Sequence, residues 1–369
     1  FSVSDPQVIG RPENPPLATV TDYFGIGGQM IAVHSQPRDA AGRPLEIVSP
    51  VSLHFASQAQ LFTPGSGHQV RISVKGKSSG SVRLDVPAGW KSVPAQQDLV
   101  GDTHDYAFTV TAPQRLETVT IKAVARIGGI DYSNDRIDIQ YPHIPPLLLQ
   151  PPARLKAVTL NLAIRGKTVG YLPGAGDSTV NSLEQMGYTV KTLSGADLAS
   201  PETQKLDAIV VGVRAFNVRK DLKPADLFRY VENGGNVVVQ YNTPRGLENK
   251  ELAPYRLELS DNLPKNRVTD ENSQVKILAA KHPALNVPNK IGPADFVGWV
   301  QERGLNFPAE WDHEHFTALL ACSDAGEAPL QSGLLVTHYG QGYFVYTGLS
   351  FFRQLPAGVP GAYRLFANL

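Results

Sequence analysis

The sequence predicts a multidomain β plus α/β protein, an antiparallel β-sandwich followed by a doubly wound parallel sheet. Three observations carry that prediction. Side chains alternate polar and apolar with period two through the first part of the chain, a proline-dense stretch then interrupts the pattern, and beyond it short apolar strands alternate with helix-compatible segments.

The alternation is clearest in Val70 to Val74, Ser81 to Val86, Tyr106 to Val110 and Val119 to Val124. Each is the pattern of a half-buried strand. Breaks such as Pro64-Gly65-Ser66-Gly67 and Pro87-Ala88-Gly89-Trp90 separate them, and no helical period intervenes. Residues 47–141 therefore read as one sandwich. Residues 1–46 hold strand-like pieces too few to close a sheet and read as the end of an upstream β module or an extension.

Residues 142–152 contain five prolines in eleven positions, which excludes a helix or a central strand and predicts a stiff connector. Residues 153–369 then read as the α/β domain. Gly166 to Leu172, Tyr188 to Leu193, Leu206 to Gly212 and Asn236 to Tyr241 are short apolar strands, with helical spacing at Ser178 to Met186 and Leu222 to Asn233. Strand, helix, strand in repetition implies parallel pairing with right-handed crossovers.

Composition narrows the function classes. Apolar residues at 42% and charged ones at 18% belong to a folded globular chain rather than a disordered one. Lys plus Arg equals Asp plus Glu at 34 each, so no net field favours nucleic acid. No stretch approaches the roughly 20 apolar residues of a membrane-spanning helix. The single cysteine, Cys322, excludes an internal disulfide and any site of several thiolates. Phe1 is no initiator methionine, so a signal peptide or a whole upstream domain is expected before it, and an exported bacterial protein is the expected setting.

Ligands of doubly wound sheets bind beyond the carboxyl ends of the strands. That rule selects Asp177 in the glycine turn after the first strand, Arg214 and Asn217 after the third, and Tyr241 and Asn242 after the fourth. Asp177 argues against a phosphate in its turn. Arg214 suits a carboxylate or phosphate, or the tethering of an acidic loop. Gln301, Glu302 and Arg303, within an aromatic-rich phrase, read either as a lid over a sugar or as a solvated loop. His313 and His315 lack the spacing and the third ligand of a metal site, and Cys322 lies in an apolar segment with no glycine elbow.

Several phrases carry resemblances. The order of strands around Pro87-Ala88-Gly89-Trp90 resembles the small immunoglobulin-like sandwiches that accompany bacterial carbohydrate-active enzymes. Glu232-Asn233-Gly234-Gly235, a hydrophobic strand and a sharp turn resemble the elbow by which class I glutamine amidotransferase-like domains, flavodoxin-like in fold, present a nucleophilic cysteine; here Tyr241 and Asn242 stand in that place. These phrases, with Gly212 to Asn217, Arg267 to Glu271, His282 to Leu285, Trp299 to Gly304, Tyr339 to Gly348 and Phe351 to Pro356, resemble the C-terminal portion of long PIG-L/LmbE-family deacetylases.

That resemblance implies a parent protein whose upstream zinc domain deacetylates N-acetylglucosamine-type amino sugars. The family's His-Pro-Asp-Asp motif is absent, since His282-Pro283 is followed by Ala284-Leu285. The chain is accordingly expected to carry no catalytic residues and no cofactor or metal of its own. Its expected partners are the upstream deacetylase domain and a glycan, with no nucleic acid and no membrane span. Two other readings stand beside this one: a stand-alone hydrolase with its site in the α/β domain, and a structural oligomerisation module.

Overall fold

Period-two alternation becomes strands wherever one face can be buried, and the computed structural model, which describes residues 6, 9–10, 18–40, 42–76, 79–261 and 266–369, is built mostly of such strands in several sheets. A hairpin of β1 (Val20–Ile26) and β2 (Gln29–Ser35) comes first, turning at Gly27 and Gly28, both at positive φ. Its side chains are almost all exposed. Of the rest of the segment read as an upstream module, residues 1–5, 7–8, 11–17 and 41 lie outside the described residues.

The sandwich uses β3 (Ser52–Phe55), β4 (Ala59–Phe62), β5 (Gly67–Lys75), β6 (Ser81–Asp85), β7 (Lys91–Val93), β8 (Gln97–Asp98), β9 (Thr103–Thr111), β10 (Thr118–Ile127) and β11 (Ile130–Tyr132). One sheet has the order β3-β5-β9-β7. Its alternating inward residues, among them Leu53, Ile72 and Phe108, meet Val82, Ile121 and Ala123 of the other sheet, all six fully buried. Trp90 closes one end, standing edge-on to Phe62 at 5.0 Å and donating its indole N–H to Glu117 at 2.9 Å.

The proline-rich segment does not act as a free connector. Its β13 (Leu147–Leu149) pairs back onto β12 (Ile137–Ile139). The Gln150 amide accepts from Ser49 N–H at 3.1 Å and donates to the Ile47 carbonyl at 2.8 Å. The next strand, β14 (Arg154–Thr159), lies inside the sandwich, antiparallel to β10 and parallel to β4, in the sheet order β4-β14-β10-β6-β8. Residues 154–159, read from sequence as the start of the α/β domain, thus belong to the sandwich sheet, because their inward apolar side chains complete its core.

Beyond β14 a seven-stranded sheet forms. Its first members are β15 (Thr168–Leu172), β16 (Thr189–Thr192), β17 (Ala208–Val211) and β18 (Asn236–Gln240), all parallel. Helix α1 (Thr179–Met186) connects β15 to β16; it buries Thr179, Ser182, Leu183 and Met186 on one stripe and ends on Gly187 at φ 105°. A short helix α2 (Ala215–Val218) follows β17, and α3 (Pro224–Glu232), with proline at its first position, leads to β18.

From Tyr241 the chain is largely irregular, with minor pairs β19 (Leu257–Glu258) with β21 (Glu310–Trp311) and β20 (Lys276–Ile277) with β23 (Leu320–Ala321). It rejoins the large sheet through β22 (Thr317–Ala318), β24 (Leu334–Tyr339) and β25 (Gly342–Thr347). The order is β16-β15-β17-β18-β25-β24-β22, parallel as far as β25 and antiparallel thereafter. Helices α4 (Phe351–Gln354) and α5 (Pro360–Phe366) finish the chain.

Both faces of this sheet are covered. Val237 and Val239 point into one core, Val238 into the other. The second core also takes in Leu61, Val158 and Leu160 from the sandwich side, so the two halves share apolar contacts. Across the same junction Gln185 accepts from Leu61 N–H at 3.0 Å, and Lys156 donates to the Ala357 carbonyl at 2.7 Å.

Candidate functional site

The turns leaving the carboxyl ends of β15, β17, β18 and β25 meet at one end of the sheet, the place where doubly wound folds have their ligand crevice, and glycine lets two of them approach closely. A Cβ on Gly174 would sit 2.0 Å from the Val213 carbonyl oxygen, so the turns after β15 and β17 approach backbone to backbone. Ala175 N–H donates to that same oxygen at 2.8 Å. Asp177 ties the two turns together: it accepts from the Tyr171 hydroxyl at 2.6 Å, Thr179 N–H at 2.9 Å and Val213 N–H at 3.1 Å. Burial, then the Asp177 charge, pushes the Tyr171 hydroxyl far above its ordinary value, so the phenol remains the donor.

Arg214 follows β17 in left-handed backbone geometry, φ 57°, a conformation that non-glycine residues seldom hold. Its side chain is exposed and has no hydrogen-bonding or ion-pair partner among the described residues. Tyr241, next to the end of β18, is 9% exposed, and its ring packs on Phe352 at 5.2 Å. Its hydroxyl likewise has no protein partner among the described residues. Burial raises the Tyr241 hydroxyl above its ordinary value; Arg214 and Arg353 oppose that, while Glu302 and Asp177 add to it.

Contacts between the turns bring Asp177, Arg214, Tyr241, Glu302 and Arg353 to this end of the sheet. Glu302 accepts from the Arg353 guanidinium at 2.7 Å, and Arg353 also lies over the Phe352 ring at 4.8 Å. The loop bearing Glu302 is held in place by Gln354, which accepts from Val300 N–H at 2.7 Å and donates to the Val300 carbonyl at 2.9 Å.

Of the other sequence candidates, Asn217, Asn242 and Arg303 are engaged in structure. Asn217 donates to the Thr243 and Arg245 carbonyls at 2.9 and 3.0 Å and accepts from Thr243 N–H at 2.9 Å. Asn242, fully buried, accepts from Phe216 N–H at 3.0 Å and donates to the Gln240 carbonyl at 3.1 Å. Arg303 turns away from the crevice and donates to the carbonyls of Ser273, at 3.0 and 2.8 Å, and Phe296, at 2.5 Å. Gln301 is exposed at φ 66°. The residues that sequence reasoning left out are Phe352 and Arg353, although the phrase Phe351 to Pro356 carried their signal as the turn leaving an apolar strand.

Elsewhere, burial pushes the Cys322 thiol up to about 11, with nearby Arg303 opposing. His315 pairs with Asp312 at 2.8 Å and stacks on Tyr255 at 3.9 Å. A groove of about 480 Å3 lies at the opposite, amino-terminal ends of the strands, lined by Gly166, Asp207, Asn236, His282 and Tyr343 with a valine floor. We favour the carboxyl end over this groove because the Arg214 side chain and the Tyr241 hydroxyl there have no hydrogen-bonding partner among the described residues.

No family model and no curated protein matches the chain. Among solved structures it is similar to an exo-β-1,4-mannosidase from Opitutaceae bacterium strain TAV5, at 12% identity and TM-score 0.33, over 53% of this chain and 33% of that one. The chain therefore spans about a third of the mannosidase's length. It is also similar to a PapD-like domain of human CEP192, at 10% identity and TM-score 0.21, over 34% of this chain and 100% of that one. The class 5 fimbrial chaperone CfaA aligns at 11% identity and TM-score 0.20, over 32% of this chain and 62% of that one. No helix among the described residues is long and apolar enough to cross a membrane.

Proposed function

We propose that this chain is a non-catalytic accessory region of an exported bacterial amino-sugar deacetylase of PIG-L/LmbE type, holding a glycan in the carboxyl-end crevice beside a separate catalytic domain. The parallel order β16-β15-β17-β18-β25 supports reading the second half as a flavodoxin-like, amidotransferase-like domain. One observation carries the functional reading. At the turn after β18, where an amidotransferase would present its thiolate, Tyr241 packs on Phe352 and Asn242 is engaged with backbone groups. Neither is an activated nucleophile.

A phenol, a rim guanidinium and an aromatic face suit the holding of a sugar, whose hydroxyls need planar hydrogen-bonding partners and whose ring faces pack on aromatics. The test compares a PIG-L-type deacetylase domain joined to this chain with the same domain alone on a chitooligosaccharide. Joining is expected to lower KM and leave kcat unchanged, and the chain alone is expected to give no turnover. Metal-dependent deacetylation by the chain alone would refute the reading.

A further inference from the structure

The charges around the Tyr241 hydroxyl are not equally available. Asp177 accepts from three donors and Glu302 holds Arg353, so the two carboxylates are engaged within the protein. Arg353 is engaged by that pair and by the Phe352 ring. Arg214 is the exception. It bears a full positive charge at the crevice rim with no acceptor among the described residues, on a backbone conformation a non-glycine residue rarely keeps. Retained strain at a rim position points to a role for the side chain it presents.

We propose that the crevice recognises the anionic substituent of an acidic sugar, a carboxylate or a phosphate, through the Arg214 guanidinium with the Tyr241 hydroxyl donating beside it. This rests on the glycan reading and narrows it. The Arg214 fork matches two oxygens of a carboxylate or phosphate, and charge-assisted bonds of this kind are the stronger ones. A phenol whose hydroxyl is raised by burial remains a donor, the role an anionic acceptor requires. The Phe352 ring, tilted against Tyr241 at 5.2 Å with Arg353 over it at 4.8 Å, adds aromatic surface beside the hydroxyl.

Titration calorimetry with glucuronate, glucose 6-phosphate, N-acetylglucosamine and inorganic phosphate tests this. Glucuronate or glucose 6-phosphate is expected to bind at least about tenfold more tightly than N-acetylglucosamine, with affinity falling as salt rises. Whichever of the two binds identifies the substituent. Arg214→Asn, which tolerates the left-handed backbone, is expected to remove that preference, and Tyr241→Phe to weaken binding several-fold. Circular dichroism of both variants checks that they fold. If N-acetylglucosamine binds as well as the acidic sugars, and loses binding on Tyr241→Ala, the proposal fails while the glycan reading stands. If no sugar binds, both fail. Inorganic phosphate binding as tightly as glucose 6-phosphate would overturn the sugar part, and acidic-sugar binding untouched by Arg214→Asn would overturn the whole.

Discussion

The Arg214 backbone N–H donates to the Tyr241 carbonyl at 2.8 Å, so the turn after β17 is hung on the turn after β18. Since the tether is backbone to backbone, the Arg214 side chain is free of that structural duty. Arg214→Gly keeps the tether and relieves the left-handed strain, which costs roughly 1–2 kcal/mol in other residues, against a glycine entropy penalty of about 0.5–1 kcal/mol. Urea denaturation is expected to show stability unchanged or raised by up to about 1 kcal/mol. A clear loss would mean that the guanidinium supports the fold.

Asn242 should behave in the opposite way. Its amide is the partner of Phe216 N–H and the Gln240 carbonyl within a fully buried site. Asn242→Ala leaves both groups unpaired, at a cost of about 1–3 kcal/mol for each group left wholly unsatisfied. A drop of about 2–4 kcal/mol in unfolding free energy is expected. An effect within error would show that water or a backbone shift replaces the amide.

How much of this was legible in the sequence depends on which forces are local. Alternation in Val70 to Val74 and the glycine turn at Gly174 are local signals, and they led to the strands and to the rim residues Asp177, Arg214 and Tyr241. Residues 154–159 misled because a period-two pattern does not say which sheet it joins, and the prolines before it looked like a boundary. Arg353 escaped because the fifth parallel strand, β25, is recruited only after the long irregular excursion that begins at Tyr241. Asn217 and Asn242 escaped in role, since an amide beside a strand end looks the same whether it meets a ligand or a carbonyl.

Cys322 is buried, and with its thiol raised to about 11 by that burial it is almost wholly protonated at neutral pH. An aromatic disulfide reagent at pH 8 is expected to leave the native protein unlabelled and to titrate one thiol per chain after unfolding in guanidinium. Rapid labelling of the native state would show that the segment around Cys322 opens.

Asp324 predicts an acid limit. Burial works to raise its carboxyl, but the N–H groups of Asp270 and Thr269 and the Thr269 hydroxyl, at 2.8, 3.0 and 2.7 Å, with Arg267 nearby, hold it below the ordinary value. A carboxylate depressed in the folded state contributes stability above its unfolded pKa, about 3.9, and that contribution is lost as pH falls through the folded value. Asp324→Asn is therefore expected to lower the melting temperature at pH 7 and to flatten its fall below about pH 4. Parallel melting curves for the two proteins at pH 7 and 3 would count against this assignment.

The last prediction concerns the proline-rich segment. Residues 142–146 are exposed, so a protease is expected to cut there early. Were this a linker between independent domains, one cut would release two particles. The pairing argues otherwise: β14, on the far side of the cut, is hydrogen-bonded on one edge to β10 and on the other to β4, and Ala157 and Leu155 are buried in the sandwich core. Gel filtration of the nicked protein is therefore expected to give a single peak at the elution volume of the intact chain, with two bands appearing only after denaturation. Separation without denaturant would show that β14 is held too weakly to belong to the sandwich, and the boundary would return to the prolines.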